Sequence, residues 1–482
     1  MSLRSRAQLG LFFFFVVLVF FVPTARASLD EELQGICRSY KSKAHIGLKA
    51  LVLDEDKTLL ETSAQELFHP GSAQKLFVAA AAFNTLGPQF VFRTEVLFDG
   101  AIESGVIKGD LVIKGSGDPS FRLEDLENLV LQIKKKNVKE ILGNLIIECS
   151  EFDEIRMGPG WIWDLQRHGG NIPVEAFVLN QGLVDVWIKP SDISMNAPHV
   201  EIDPLVPGIC VSNKAIMANI DPYEKSLKVR KKQQRGKDVI LVEGALSLKS
   251  RPLKFSIPVQ YPAHFAATEF SLLLKKHGIK HEGKILFDHN SCCKEVLASH
   301  QSAPLFDLVK KMLKFDNDMY ANCILKKIGR IKFGKPGTWP NGAQVVREFL
   351  LDVAAKEVDE AVIVDGSGES CFNKISPETV ALWLKNIHKK FVYAPELMAC
   401  MPLSGVDGSL KKRFKQKSFF SKLRGISFAF KEDSCLCGYF MTREQKTLVF
   451  CLMVQHIKPC QESCAQEIEK KVCEALFKYA KE

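Results

Sequence analysis

Beyond its first 27 residues, the 482-residue chain has no second long apolar run of the kind that opens it. With that opening segment removed, nothing remains to serve as a stable membrane span. No phosphate-cradling glycine loop and no dinucleotide fingerprint occurs, so no cofactor is implied. Clustered cysteines stand at 292–293, 435–437 and 460–464 without a histidine partner at zinc-site spacing, so no metal is expected. Internal repeats and low-complexity tracts are missing too. With 46% hydrophobic and 25% charged residues the composition is that of a soluble globular protein.

The opening segment is the exception to this pattern. Arg4 and Arg6 precede the apolar stretch "LGLFFFFVVLVFFV", and "ARA" at 25–27 supplies small residues for cleavage. That order is the order of a secretory signal peptide spanning 1–27. The expectation is an exported protein of the periplasm or cell envelope. Loss of three arginines and no acid takes the net charge from +9 to +6, with lysine and glutamate mixed nearly throughout. The basic run "EKSLKVRKKQQRGKD" (224–238) reads either as an attractor for an anionic polymer or as a solvated hairpin; no nucleic-acid partner is expected. The 14 cysteines of an exported chain leave disulfides open, with connectivity unreadable.

Alternation and spacing give two strands within 46–62, a helix from near Ser72 to Leu86, and short strands between about 90 and 260 interrupted by one helix at 123–136. Helical patterns return from 264, and the strand "TLVFCLMVQ" (447–455) precedes a last helix.

Within "FHPGSAQKLFVAAAAF" (68–83), Ser72 and Lys75 stand three residues apart at the start of the apolar helix. Residues i and i+3 share a helix face, so the amine can reach the hydroxyl. Either Ser72 is a nucleophile with Lys75 as its base, or Ser72 caps a core helix and Lys75 snorkels outward. Two more Ser-x-x-Lys matches, Ser291/Lys294 and Ser409/Lys412, lack the long apolar helix.

Several segments, in order, resemble the DacB-type D-alanyl-D-alanine carboxypeptidase/endopeptidase family of serine penicillin-binding proteins. They are "HPGSAQKLFVAAAAFNTLGPQFVFRTEV", "GVIKGDLVIKGSGDPS", "PGWIWD", "QSAPLFDLVKKMLK", "KPGTW", "VDGSGES" and "MPLSGVDGSL". The resemblance runs from about 45 to 455. It implies an α/β (α+β) penicillin-binding domain, an antiparallel sheet flanked by helices, built from 28–86 and 264–482 around a β-rich insert at 87–263. It also implies Ser72 as nucleophile, Lys75 beside it, peptidoglycan peptides as substrate and β-lactams as acylating ligands. Asp365, Gly366, Ser367 and Gly368 of the DGSG stretch, with Ser427, fall to substrate binding.

Two family motifs are altered. Where Ser-x-Asn is expected, "FDNDMYAN" places Asp316 and Asp318, both assigned to the catalytic group. Where Lys-Thr-Gly is expected, gap-free counting places Ile426, Ser427 and Phe428, with Lys422 and Arg424 the nearest cations. Two carboxylates beside Lys75 hold it protonated. Three readings follow: a divergent serine-type D-Ala-D-Ala peptidase, a non-catalytic homologue that binds cell-wall peptide or a partner protein, and a hydrolase for a different amide, ester or β-lactam.

Overall fold

A computed structural model describes residues 29–478, apart from 56, 162–170, 193–194, 205–208, 222–225, 235–236, 289–294, 355–360, 418, 431–432 and 456–461. The signal-like segment and Ser291/Lys294 therefore lie outside the described residues.

The strand His45–Val52 is buried along nearly its whole length because it sits inside a sheet covered on both faces. Its neighbours are Thr58–Thr62 on one side and Thr447–Gln455 on the other, followed by Asp433–Met441 and the edge strand Leu423–Phe430. Every pairing in this five-stranded sheet is antiparallel. Residues from the two ends of the chain thus share one sheet, with Leu48 opposite Leu452 and Ala50 opposite Phe450.

The N-terminal helix Leu29–Tyr40 and the C-terminal helix Glu462–Phe477 cover one face, where Leu33, Leu452, Ile468 and Leu476 meet. The other face carries the larger core. From Leu76 to Phe83 the helix Gln74–Leu86 is apolar all round, as a segment buried on every side must be. Leu76, Phe77 and Phe83 pack there with Ile324 of the helix Asp318–Phe333, Trp339 of Trp339–Ala354, and Trp383 of Pro377–Lys390.

A second core lies in the insert, around a five-stranded sheet that includes Arg93–Phe98, Leu111–Lys114 and Leu145–Glu148. The helix Pro262–Lys276, expected to open the second part of the penicillin-binding domain, belongs to this core instead. Its Phe265, Phe270 and Leu274 pack with Leu126, Leu129 and Ile133 of the helix Leu123–Lys135. The strands Ile285–Asp288 and Glu295–Gln301 then complete the insert's sheet. The chain therefore returns to the main domain near Ser302, not at 264. The basic run forms an antiparallel hairpin, Lys228–Gln234 with Lys237–Glu243. The eleven described cysteines are free thiols, eight of them buried. No helix among the described residues is long and apolar enough to cross a membrane.

Candidate active site

Ser72 sits in a 3-10 turn, Gly71–Ala73, that leads directly into the helix Gln74–Leu86. Gly71 holds φ at +50°, and a Cβ on it would stand 2.2 Å from the ring of Phe428. Glycine is required there for both reasons. The turn buries Ser72 to 3% exposure and directs its hydroxyl toward Lys75, which is 1% exposed.

Lys75 Nζ has three partners: it donates to Ser72 Oγ at 3.1 Å and meets Asp316 Oδ1 and Asp318 Oδ1, each at 2.6 Å. Three N–H bonds with three acceptors satisfy a buried ammonium. The snorkelling alternative for Lys75 is thereby excluded. Burial alone pulls the amine below its ordinary value, but the charges of Asp318 and Asp316 outweigh it and hold Lys75 above that value. It is an ammonium at neutral pH. Asp318 is displaced upward, chiefly by loss of water, with Lys75 opposing.

Asp316 occupies the turn between the helices Leu305–Lys314 and Asp318–Phe333 with φ at +54°. A left-handed non-glycine residue costs backbone energy, and here it places the carboxylate on Lys75. Asn317 caps the second helix by accepting from Tyr320 N at 3.1 Å. Its amide donates to Gln181 Oε1 of the insert at 2.6 Å. Both expected acids are therefore at the nucleophile.

The DGSG stretch has another task. Asp365 is fully buried and accepts from Gly368 N, Ser370 N and Asn373 Nδ2, each at 2.8 Å, and from Trp161 Nε1 at 2.7 Å. Gly366 N and Ser367 N donate to Asn322 Oδ1, and Ser367 Oγ donates to Asp365. A Cβ on Gly368 would stand 1.9 Å from Gly71 O. These four residues brace the nucleophile's turn from behind, with their polar groups already committed to protein.

Glu369, the next residue, is a site residue that sequence reasoning missed. Burial, then the charges of Asp318 and Asp365, push its carboxyl up to about 8. It is protonated at neutral pH. Only the fold brings it to the cluster, although an acid following the DGSG glycines was a visible signal.

On the edge strand, Ile426 faces the larger core and Phe428 lies against Gly71. Ser427 pairs with Leu436, whose side chain is on the opposite face of the sheet. Its hydroxyl accepts from Arg413, which also pairs with Glu469 of the C-terminal helix. Ser427 is thus drawn away from the nucleophile. Arg424 donates to Met398 O at 2.7 Å, and Lys422 to Met441 Sδ at 3.5 Å. Of the remaining Ser-x-x-Lys match, Ser409 is half-buried and Lys412 exposed.

The succession is a Ser/Lys pair opening a buried helix, acids at the turn before a second helix, and an antiparallel edge strand alongside. The profile of the D-Ala-D-Ala carboxypeptidase 3 (S13) family matches residues 26–476. The chain belongs to that family. Within it, the chain is 28% identical to D-alanyl-D-alanine carboxypeptidase DacB of Haemophilus influenzae over 77% of this chain and 76% of that protein. It is 27% identical to a D-alanyl-D-alanine carboxypeptidase of an Actinomadura strain, over 77% and 70% respectively. The fold matches a crystal structure of penicillin binding protein 4 (dacB) from H. influenzae with a TM-score of 0.82 and 23% identity, covering 93% of this chain and 99% of that one. The S13 family assignment agrees with the resemblance and with the mixed α/β fold class.

Proposed function

We propose that this S13-family chain is an exported serine-type D-Ala-D-Ala carboxypeptidase/endopeptidase that acts on peptidoglycan stem peptides through an acyl-enzyme on Ser72. The observation that carries the reading is the buried Ser72 Oγ to Lys75 Nζ contact at 3.1 Å, with both carboxylates at 2.6 Å. A capping serine has no need of a buried, triply partnered ammonium one turn away.

The chemistry follows from who holds the protons. Lys75 begins as an ammonium and cannot accept a proton until it gives one up. As Ser72 Oγ attacks the D-Ala carbonyl, Lys75 takes the hydroxyl proton while passing one of its own to Asp318. Desolvation makes Asp318 a stronger base than an ordinary aspartate. The C–N bond then breaks, and the same proton returns through Lys75 to the leaving amine. Water attacks the acyl-serine, its proton follows the same path, and the product acid leaves with Ser72 restored. For the oxyanion, the Ser72 amide is one donor. Gly425 N points off the strand edge to Pro402 O, and alternation puts the Ser427 amide on the same edge as the second.

The non-catalytic reading is favoured by one observation: the third-motif positions offer Ile426, an occupied Ser427 and Phe428 in place of Lys-Thr-Gly. Release of D-alanine from diacetyl-L-Lys-D-Ala-D-Ala separates the two. The peptidase reading expects slow release that disappears in Ser72→Ala; equal release from both proteins, or none from either, favours the binder.

A further inference from the structure

Three buried thiols that the catalytic steps above do not use meet on one face of the main sheet. Cys435 and Cys437 stand two apart on the strand Asp433–Met441, and Cys451 lies opposite Cys437 on Thr447–Gln455. All three are fully buried in the larger core, and each is in hydrogen-bonding contact with the other two. Among the described residues no group of three ligating side chains is placed to hold a metal ion, so the cluster is read by its thiol chemistry.

Register selects one pair. Facing residues of an antiparallel ladder have Cα atoms about 4.5–5.5 Å apart, inside the range of about 4.4–6.8 Å that a disulfide spans. Cys437 and Cys451 face each other in this way. Cys435 faces Met453 instead and is diagonal to Cys451, a separation of about 7–8 Å that closes only if the backbone moves. Cys437 also loses its proton most readily of the three: hydrogen bonds from Cys435 and Cys451 outweigh burial and hold it below the usual thiol range.

The same face reaches the nucleophile. Across the next ladder Cys437 pairs with Ile426 and Cys435 with Phe428, and the Phe428 ring packs on Gly71, the residue before Ser72. Joining two sulfurs draws them from contact to about 2.0 Å. Cys435 then faces two sulfurs that no longer carry hydrogens, and the packing behind Phe428 changes.

We propose that Cys437 and Cys451 form a redox-active pair whose closure to a cross-strand disulfide loosens the Ser72 turn and slows its acylation. A small external disulfide is the oxidant. The Cys437 thiolate attacks one of its sulfurs, forms a mixed disulfide and expels a thiolate, which takes up the proton that Cys437 released. Cys451 gives up its proton, attacks the Cys437 sulfur and expels the second external thiol. Two protein thiols and one external disulfide become one protein disulfide and two external thiols, a two-electron exchange. The effect on Ser72 rests on the peptidase reading, whereas the disulfide itself does not.

Full-length protein is equilibrated in glutathione buffers of graded redox ratio, both in its native state and during refolding from urea. Peptide mass spectrometry should show a Cys437–Cys451 link that forms and reverses with the ratio. Acylation by a fluorescent penicillin should be at least about tenfold slower in the oxidised protein, because a small displacement of a reacting group is costly, and should recover on reduction. Cys451→Ala and Cys451→Ser cannot close the pair and should keep the reduced rate at every ratio, which separates this pair from the other cysteines. Residues 437 and 451 that stay reduced in every buffer, or a link made by Cys435 in place of Cys437, overturn the pair. A closed pair with an unchanged acylation rate, or an equal slowing in the Cys451 variants, overturns its control of Ser72. A reduced protein that is never acylated overturns the peptidase reading and with it the effect on Ser72, while a mapped link still establishes the disulfide.

Discussion

At Asp318 the proton path is most exposed to test. The carboxylate is held above its ordinary value mainly by burial, and it receives the proton that Lys75 passes on. Asp318→Asn keeps the shape and leaves Asp316 on Lys75, so the ammonium remains paired while the acceptor is gone. Penicillin acylation should slow by about 10²–10⁴-fold, with far-ultraviolet circular dichroism unchanged. An unaltered rate would move the acceptor to Asp316.

Glu369 permits a second measurement at this scale. Unfolded, the group titrates near its ordinary value of 4.5; folded, it titrates near 8. The folded state therefore holds a proton that the unfolded state has released. The stability of the protonated form is fully present below about 4.5 and is lost as pH rises through about 8. Glu369→Gln keeps a neutral side chain at every pH. It should be more stable than the parent at pH 9 by roughly 1–3 kcal/mol, discounted for partial solvation, and equal to it at pH 4. Urea unfolding at the two pH values gives the answer, and equal midpoints at pH 9 would place Glu369 in water.

Residue-level chemistry was legible where it depended on near neighbours. Ser72 and Lys75 are three apart on one helix, and that spacing alone sets their proximity. Asp316 and Asp318 were placed by counting from the helix end at Lys314. Glu369 was not, because its partners come from two other segments. Nor was the Arg413–Ser427–Glu469 chain, in which a turn, a strand and the last helix meet across the sheet.

The deciding element is the pair of glycine-bearing turns around the nucleophile. Gly71 and Gly368 approach so closely that a methyl on Gly368 would overlap Gly71 O at 1.9 Å, and both hold positive φ, at +50° and +88°. Gly368→Ala must therefore push the Ser72 turn away from Asp365 and its hydrogen bonds. A cost of about 1–3 kcal/mol for the strained backbone should appear in denaturant unfolding, with acylation at least about tenfold slower. Wild-type kinetics in this variant would show that the brace does not position Ser72. Strand and helix elements elsewhere were readable from period. Which core an amphipathic helix serves was not, and Pro262–Lys276 shows why: its apolar face fits either domain, and only its contact with Leu123–Lys135 decides.

On the scale of the molecule, the main sheet joins chain ends some 400 residues apart, since His45–Val52 lies between Thr58–Thr62 and Thr447–Gln455. A fragment starting after Leu86 loses the strand opposite Thr447–Gln455 and the nucleophile helix. It would expose Leu452, Val454 and the faces of Trp339 and Trp383 that pack with residues 76–83. Such a fragment should not fold, as judged by circular dichroism and proteolysis; a protease-resistant product from 302 onward would contradict the architecture.

The insert is tied to the same centre by buried charge. Lys327 meets Glu151 at 2.6 Å and Lys326 meets Asp153 at 2.7 Å, both from the helix that starts at Asp318. Breaking a buried pair from one side leaves an uncompensated charge, and the helix that carries the insert's anchorage also carries Asp318, one of the two acids on Lys75. All of this arrangement converges on a single hydroxyl. Incubating the full-length protein with penicillin and mapping the adduct by peptide mass spectrometry tests it most directly. One acyl group, on Ser72 and missing in Ser72→Ala, is the result expected; a protein left unmodified, or an adduct on Ser409, would contradict it.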